Sequence, residues 1–217
     1  LYETVRTPGS AAAQGRENPT GIQIGHGSRL VATQRNFSPG QLRQTGNPYD
    51  IAIEGGGFFQ VSLPDGRVAY TRAGSFKTDS GGRLTTADGN LLEPAITIPP
   101  DATKVNIGKD GTVSVTMAGQ SKPTQAGRIQ LSSFSNPAGL QALGGNLYVE
   151  TQASGQARNG NPGSQEFGTL GQGMLEMSNV KVVEEMIELI VGQRAYEANS
   201  RVIKAADDML RATANLK

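Results

Sequence analysis

The stretch of sequence most suggestive of chemistry is a run of three glycines that follows an acidic residue, Glu54-Gly55-Gly56-Gly57. Such a loop binds phosphate when the amides of a following helix N-terminus point at the anion, and nucleotide-binding loops add a Lys-Ser/Thr pair. Here Phe58, Phe59 and Val61 continue a strand pattern, and no such pair follows. The glycines therefore predict a β-bulge or a close backbone approach rather than a nucleotide site.

The sequence is poor in groups that build a metal centre or a nucleophile. It contains no cysteine and one histidine, His26, which lies between two glycines. A histidine without a second ligand at metal-binding spacing favours neither a zinc site nor a Ser-His-Asp triad, and without cysteine there is no thiol nucleophile. We predict that the protein binds no metal and no cofactor.

Acidic residues recur in two patterns that resemble functional sites. Asp-Gly pairs begin at Asp65, Asp88 and Asp110, but none continues into the alternating carboxylates of a calcium loop, so they predict hairpin turns. Glu184-Glu185 and Asp207-Asp208 are adjacent on a predicted helix, where neighbouring side chains point about 100° apart and cannot share a proton. These patterns favour a protein that is not an enzyme.

A long helix is predicted for residues 178–217, with Ser178 or Asn179 as its N-cap. An apolar stripe recurs every seven residues, at Val182, Leu189, Tyr196, Ile203 and Leu210. This spacing is typical of a coiled coil, and at about 1.5 Å per residue the helix exceeds what one face of a small domain can cover. The stripe must therefore meet another helix; the alternative is a helix that folds back on its own β domain.

The preceding sequence predicts β structure. Residues 1–48 form an extended arm whose apolar residues are separated by glycine and polar residues, so it buries little of itself and either stays mobile or lies against a neighbour. Residues 49–150 alternate apolar and polar side chains between turn signals and predict a compact antiparallel β domain, and residues 151–177 form a Gly-rich return segment. The fold class is mainly β: a small antiparallel β domain, an extended β arm and a coiled-coil-type C-terminal helix.

Composition excludes several classes of function. The 217 residues carry a formal net charge of +1 and show no basic patch with interleaved aromatic residues, so nucleic-acid binding is not predicted. No apolar run is long enough to cross a bilayer, so membrane insertion is not predicted either. With 29 Gly and 11 Pro, the chain suits many short strands joined by turns.

Two other classes of protein remain open on the residues alone. An extracellular glycan- or peptidoglycan-binding β module would present aromatic residues on one face, although the chain has 5 Tyr and no Trp. A wall hydrolase would need two carboxylates that converge on a cleft, and Glu54, Asp65 and Glu93 are the candidates.

Three motifs in this order resemble the bacterial flagellar rod and hook family, and its distal-rod members in particular. They are DIAIEGGGFFQV at residues 50–61, YTRAGSFKTDSGGRL at 70–84 and SNVKVVEEMIELIVGQRAYEANSRVIKAADDML at 178–210. The resemblance extends over nearly the whole chain. A hook subunit usually carries a larger outer domain, for which residues 100–125 leave no room, and the proximal rod or hook subunit remains the alternative within the family.

The resemblance implies a structural subunit that is exported unfolded and polymerises helically into a rigid hollow shaft, which crosses the periplasm in the flagellar basal body and transmits torque from motor to hook. The implied partners are further copies of itself, proximal rod and hook-side axial proteins, and the surrounding peptidoglycan and outer-membrane ring proteins. A family N-terminal helix is expected before Leu1. The implied interface residues are Val182, Met186, Leu189, Tyr196, Asn199, Ile203, Ala206 and Leu210 on the helix, and Ile22, Ile24, Leu30 and Phe37 on the arm.

Overall fold

The computed structural model describes residues 33–120, 122–164 and 166–214, together with the backbone of four short strands within residues 2–25. Contact clustering divides the chain into two units, residues 1–36 and residues 37–217. In the first unit the described strands are β1 Tyr2–Arg6, β2 Ala11–Ala12, β3 Arg16–Glu17 and β4 Ile22–Gly25. β1 pairs with β4 and β2 pairs with β3, both antiparallel, so this part of the predicted arm consists of β-ladders.

The second unit contains the remaining strands and the helix. The strands are β5 Leu42–Gln44, β6 Ile51–Glu54, β7 Phe58–Ser62, β8 Val68–Thr71, β9 Lys77–Thr78, β10 Leu84–Thr85, β11 Leu91–Glu93, β12 Ala102–Ile107, β13 Thr112–Met117, β14 Thr124–Arg128, β15 Leu131–Ser133, β16 Gln141–Gly144, β17 Leu147–Val149, β18 Arg158–Gly160, β19 Thr169–Gln172 and β20 Met174–Glu176. A short 3-10 turn covers Pro137–Gly139, and the helix α1 covers Val182–Ala214. This confirms the predicted fold class of antiparallel sheets with one long C-terminal helix.

A nine-stranded sheet forms the centre of the β region. Its strands follow the order β16-β17-β8-β7-β11-β10-β9, and β15 pairs with both β7 and β18. A second sheet has the order β12-β13-β14. Every pairing that the structure describes is antiparallel. The predicted Asp-Gly turns join consecutive strands, with Gly66, Gly89 and Gly111 at φ of 81°, 86° and 82°, a region that glycine adopts without a Cβ clash.

The main hydrophobic core lies between these sheets. Its members share side chains that are almost completely buried: Ile51, Ile53, Phe59, Phe76, Leu84, Leu92, Ile96, Ile98, Val105, Ile107, Val113, Val115, Ile129, Leu131 and Leu170. Phe59 and Phe76 meet edge to face, with ring centroids 5.1 Å apart. A second, aromatic cluster consists of Phe58, Tyr70, Phe134 and Leu140, against which Phe37 and Tyr148 pack.

The structure differs from the predicted strand pattern at the end of the β region. The segment predicted as a polar return contains β18, β19 and β20, and β19 pairs with β6 so that Leu170 lies opposite Ile53 in the core. β20 pairs with β5 of the predicted arm. Glycine-rich composition concealed these strands, and the ladder partners of β19 and β20 lie more than 100 residues away in the sequence. The division into domains at residues 48, 150 and 177 stays a prediction.

Candidate assembly interface

Within the part of the chain that the structure describes, α1 carries a long run of exposed apolar side chains. Among the α1 side chains that the structure describes, none is buried. Tyr196 is 77% exposed and Ile203 64% exposed, and the other large apolar side chains that share this exposure are Val182, Val183, Met186, Ile187, Leu189, Ile190, Val191, Val202 and Met209. The helix therefore does not fold back on the β domain, and its apolar surface is available to other molecules.

The structure places the predicted interface residues in three different settings. Val182, Met186, Leu189, Tyr196, Asn199, Ile203 and Ala206 are exposed on α1. Leu210 lies on α1 and Ile22 and Ile24 lie on β4, but their side chains, like the whole of Leu30, lie outside the described residues. The remaining residue, Phe37, packs within its own chain, with its ring centroid 5.7 Å from that of Phe58 and 5.3 Å from that of Tyr148.

The start of α1 is one position where the prediction was wrong. The helix begins at Val182, not directly after Ser178 or Asn179. The Ser178 hydroxyl accepts a hydrogen bond from the Val180 amide at 3.2 Å, and the Asn179 side-chain amide donates to the Ser38 carbonyl at 3.0 Å. Both candidate side chains therefore make their hydrogen bonds in the segment before the helix and do not cap α1. Tertiary contact with residue 38, which local sequence does not reveal, decides this boundary.

An arginine joins the β domain to the strand that leads into α1. The Arg72 guanidinium lies 2.8 Å from the Glu176 carboxylate and donates to the carbonyls of Gly55 and Gly57 at 3.1 and 2.9 Å. The other Glu176 oxygen accepts the Gly40 amide at 2.9 Å. We call this group the Arg72 clasp. Sequence reasoning missed it, and the signal available was an arginine within a motif that also supplied the family resemblance.

The clasp explains the three glycines that suggested a phosphate loop. Gly55 and Gly57 have φ of 122° and 124°, which glycine alone adopts readily, and their carbonyls converge on a cation. An anion site needs amides that converge instead. The predicted close backbone approach is present as well, because Gly168 lies against Gly55 and donates its amide to the Gly56 carbonyl at 2.8 Å.

The three carboxylates considered for hydrolysis have different neighbours, and Glu93 lies on β11 opposite Gln60 of β7. Glu54 accepts a hydrogen bond from the Thr169 hydroxyl at 3.3 Å, and Asp65 pairs with Arg67 at 2.7 Å. In the described part of the chain, no three His, Cys, Asp or Glu side chains are grouped as a metal site would require. No helix within that part combines the length and the hydrophobicity needed to cross a membrane.

Comparison with known proteins identifies the family. Residues 52–115 match the flagellar hook protein FlgE/F/G D1 domain, and residues 172–216 match the C-terminal domain of the flagellar basal body rod FlgEFG proteins. The chain is 47% identical over 216 residues to the flagellar basal-body rod protein FlgG of Buchnera aphidicola from Schizaphis graminum, covering all of this chain and 83% of that protein. The chain belongs to the flagellar basal-body rod protein FlgG family.

Two proteins of a single organism allow FlgG to be compared with FlgF, another rod protein. The chain is 46% identical to FlgG of Caulobacter vibrioides, covering 100% of this chain and 83% of that protein. Against FlgF of the same organism it is 37% identical, covering 82% of this chain and 69% of that protein. Borreliella burgdorferi FlgG is 46% identical over 219 residues, with 100% and 83% coverage. As a member of the FlgG family, the chain is a structural protein of the rod in the flagellar basal body.

Proposed function

We propose that this protein polymerises through α1 into the distal part of the flagellar rod, forming a rigid hollow shaft that crosses the periplasm and transmits torque from motor to hook. The observation that carries the proposal is the 33-residue helix whose large apolar side chains are exposed along its length. Burial of one such side chain contributes about 1.5–3 kcal/mol. Burying several of them against other copies would therefore stabilise the assembly by several times that amount. Copies of the same helix can bury this surface against one another. When such contacts do not close into a ring, they build an open helical filament.

The predicted interface residues on α1 belong to this proposal. Val182, Leu189, Tyr196 and Ile203 recur at seven-residue intervals and are each exposed. A heptad stripe supercoils with its neighbours when helices pack in parallel. The partners proposed beyond further copies are the proximal rod and hook-side axial proteins, the peptidoglycan and the outer-membrane ring proteins. In this role the protein performs no catalysis.

The chain's lack of cysteine makes a direct test possible. The full-length protein carrying Leu189→Cys and Ile203→Cys replaces the native copy in flagellated cells, which are treated with a bismaleimide and analysed on a denaturing gel. We expect a ladder of covalent multimers, because two reactive sites on each helix join successive copies. The matched control is Gln152→Cys, an exposed position of the β region, paired with Leu189→Cys. Monomer alone in the helix variant, with both thiols alkylated, would contradict the proposal.

A further inference from the structure

Two cavities on the surface of the β region meet at Tyr49. One, of about 440 Å³, lies beside β12 and the ends of β5 and β19, and the other, of about 470 Å³, lies beside the turn between β9 and β10. Tyr49 and Ala102 line both cavities, and we call the two together the Tyr49 groove. Each volume falls within the range of about 300–1,000 Å³ that is usual for small-molecule sites.

Tyr49 stands on a firm support between the two cavities. Its side chain is half-buried and packs against the main hydrophobic core, and its amide donates to the Asn47 side-chain oxygen at 3.3 Å. The next residue, Asp50, is buried and accepts hydrogen bonds from the Thr45 hydroxyl at 2.6 Å and the Asn47 amide group at 3.0 Å. An aromatic ring that a core supports on one side and that borders a cavity on the other is a platform for the apolar face of a ligand.

The charges of the groove do not favour an anionic ligand. Within the described part of the chain, the charged side chains that line it are Lys104 and Asp79. The Asp79 carboxylate accepts the amides of Gly81 at 2.9 Å and Arg83 at 2.8 Å, and it pairs with the Arg83 guanidinium at 2.7 Å. One exposed lysine is no convergent set of donors of the kind that binds a phosphate or a carboxylate. The groove therefore suits a neutral ligand.

An added peptide strand is also disfavoured, although β12 is an edge strand in the described part of the chain. The Gln172 side chain already occupies this edge, because it accepts the Ile107 amide at 3.1 Å and donates to the Val105 carbonyl at 3.0 Å. Lys104 is exposed on the same strand, and a charged side chain on an edge opposes strand addition. A peptide strand would have to displace the glutamine and bury the lysine.

The remaining polar side chains of the groove are neutral hydroxyl and amide groups. Gln44 and Thr103 line the first cavity, Thr78 and Ser80 line the second, and all four are exposed. Hydroxyl and amide groups both donate and accept hydrogen bonds. A sugar ring presents the matching surface, since its C–H groups form an apolar face that stacks on an aromatic ring and its hydroxyl groups both donate and accept.

We propose that the Tyr49 groove binds a linear chain of neutral sugar units. One unit stacks on the Tyr49 ring, and the units on either side form hydrogen bonds with Gln44 and Thr103 in one cavity and with Thr78 and Ser80 in the other. The inference rests on the proposed function for the source of the glycan, because peptidoglycan is one of the partners proposed above. It assigns that contact to the β region and does not depend on polymerisation through α1.

Calorimetric titration of the purified chain with tetra-N-acetylchitotetraose, a soluble β-1,4-linked oligosaccharide, tests the site. We expect Tyr49→Ala to lower the affinity at least about tenfold and Tyr49→Phe, which keeps the ring, to stay within about threefold of the unaltered protein. Tyr196→Ala is the matched control, because Tyr196 is exposed on α1, outside the groove, and its removal should leave binding unchanged. Equal binding by Tyr49→Ala, or no binding by the unaltered protein, would overturn the proposal.

A second variant guards against loss of folding in Tyr49→Ala, whose side chain also packs on the core. Thr78→Val with Ser80→Ala removes two exposed hydroxyl groups and is expected to weaken binding at least about threefold without changing the urea unfolding curve. Unchanged binding by this variant would show that the second cavity holds no sugar unit and would overturn the two-cavity site.

Amide NMR spectra locate the ligand and distinguish its sources. The tetraose should shift the amides of Gly81, Ala102 and Thr103, and shifts confined to residues outside the groove would overturn the assignment. Tighter binding of the acetylated tetraose than of cellotetraose would support an N-acetylated glycan such as peptidoglycan, and equal binding a neutral glycan of another source. If a peptide of alternating Thr and Val shifts these amides and neither tetraose does, the groove binds polypeptide and the proposal fails.

Ile203→Asp separates this inference from the function proposed above. The substitution lies on α1, so we expect it to abolish rods and to leave tetraose binding unchanged. If that variant still forms rods while the unaltered protein binds the tetraose, polymerisation through α1 fails and the sugar site stands. If rods are lost but the unaltered protein binds neither tetraose, the sugar site fails and the proposed assembly stands.

Discussion

Arg72 and Glu176, 104 residues apart in the sequence, form an ion pair of 2.8 Å that fastens the strand before α1 to the β domain. Their side chains are 16% and 11% exposed, so the pair is largely shielded from water. The guanidinium also lies 6.0 Å from the centre of the Phe58 ring. These contacts fix β20, the strand that precedes α1, to the β domain.

Removal of the arginine should destabilise the protein strongly. In Arg72→Ala the Glu176 carboxylate loses its cationic partner and keeps only the Gly40 amide, and the carbonyls of Gly55 and Gly57 lose the guanidinium donor. A shielded charge left without a partner costs about 3–5 kcal/mol, and the residual exposure of this pair places the expected loss near the lower end. Urea unfolding of the purified chain measures the change in the free energy of unfolding.

Arg67→Ala is the matched control for the clasp. Arg67 pairs with Asp65 at 2.7 Å, but the two side chains are 62% and 48% exposed. Exposed pairs contribute about 0–1 kcal/mol, so this variant should unfold close to the unaltered protein. Equal losses in the two arginine variants would show that the clasp does not hold the structure together.

Gly74→Ala should destabilise the β domain by close contact rather than by strain at a positive φ. A Cβ on residue 74 would overlap the carbonyl oxygen of Ile51, whose amide donates to the Gly74 carbonyl at 2.9 Å. Moving that backbone disturbs β6 in the core, and we expect a loss of about 2–4 kcal/mol, measured by thermal unfolding. The same substitution at Gly192 meets no neighbour and should favour α1 by up to about 1 kcal/mol. A loss at both positions would contradict this explanation.

Ile203→Asp should separate assembly from folding. Because the side chain is 64% exposed on α1, we expect the free energy of unfolding of the β domain to change by less than about 0.5 kcal/mol. Rod formation should be lost, because a carboxylate in a packed seam is desolvated without a partner. Circular dichroism with urea measures the first quantity, and electron microscopy of isolated basal bodies the second. A control, Gln152→Asp, introduces the same carboxylate at an exposed position of the β region and should retain assembly.

Gln172→Glu should weaken the hydrogen bonds between the side chain of residue 172 and the backbone of β12. The Gln172 side chain accepts the Ile107 amide at 3.1 Å and donates to the carbonyls of Val105 and Pro48 at 3.0 and 2.9 Å. A glutamate keeps the acceptor but loses both donors and sets a carboxylate against two carbonyls, at an expected cost of about 1–3 kcal/mol. Chemical denaturation measures the cost. The same change at Gln152, which is exposed, should be nearly neutral.

Stability should depend on the charge of Asp79 at acid pH. The Arg83 amide and then the Arg83 side chain bind this carboxylate, and both lower its pKa below the ordinary value of 3.8. A lowered folded-state pKa gives stability that is present above the unfolded value and is lost as the pH falls through the folded one. Asp79→Asn should therefore unfold more easily than the unaltered protein at pH 7 and differ less from it as the pH falls below 3.8. A constant difference across that range would contradict the assignment.

Local sequence was sufficient for several features of this molecule. The Asp-Gly pairs predict turns because glycine adopts a positive φ without a clash, and the turns at Gly66, Gly89 and Gly111 are present. The seven-residue recurrence from Val182 to Ile203 predicts the long helix, because a repeat near 3.6 residues places those side chains on one side. The absence of cysteine and the isolation of His26 are read from the sequence directly.

Tertiary structure decided the features that depend on distant segments. No local pattern pairs β19 with β6, or aims Arg72 at Glu176, because these contacts join residues more than 100 positions apart and depend on how the whole β region folds. For the same reason the sequence did not predict that Phe37 packs on Phe58 of its own chain, whereas its place in a subunit interface stays a prediction. Periodicity records which residues share a face, and only the folded chain determines which surface each face meets.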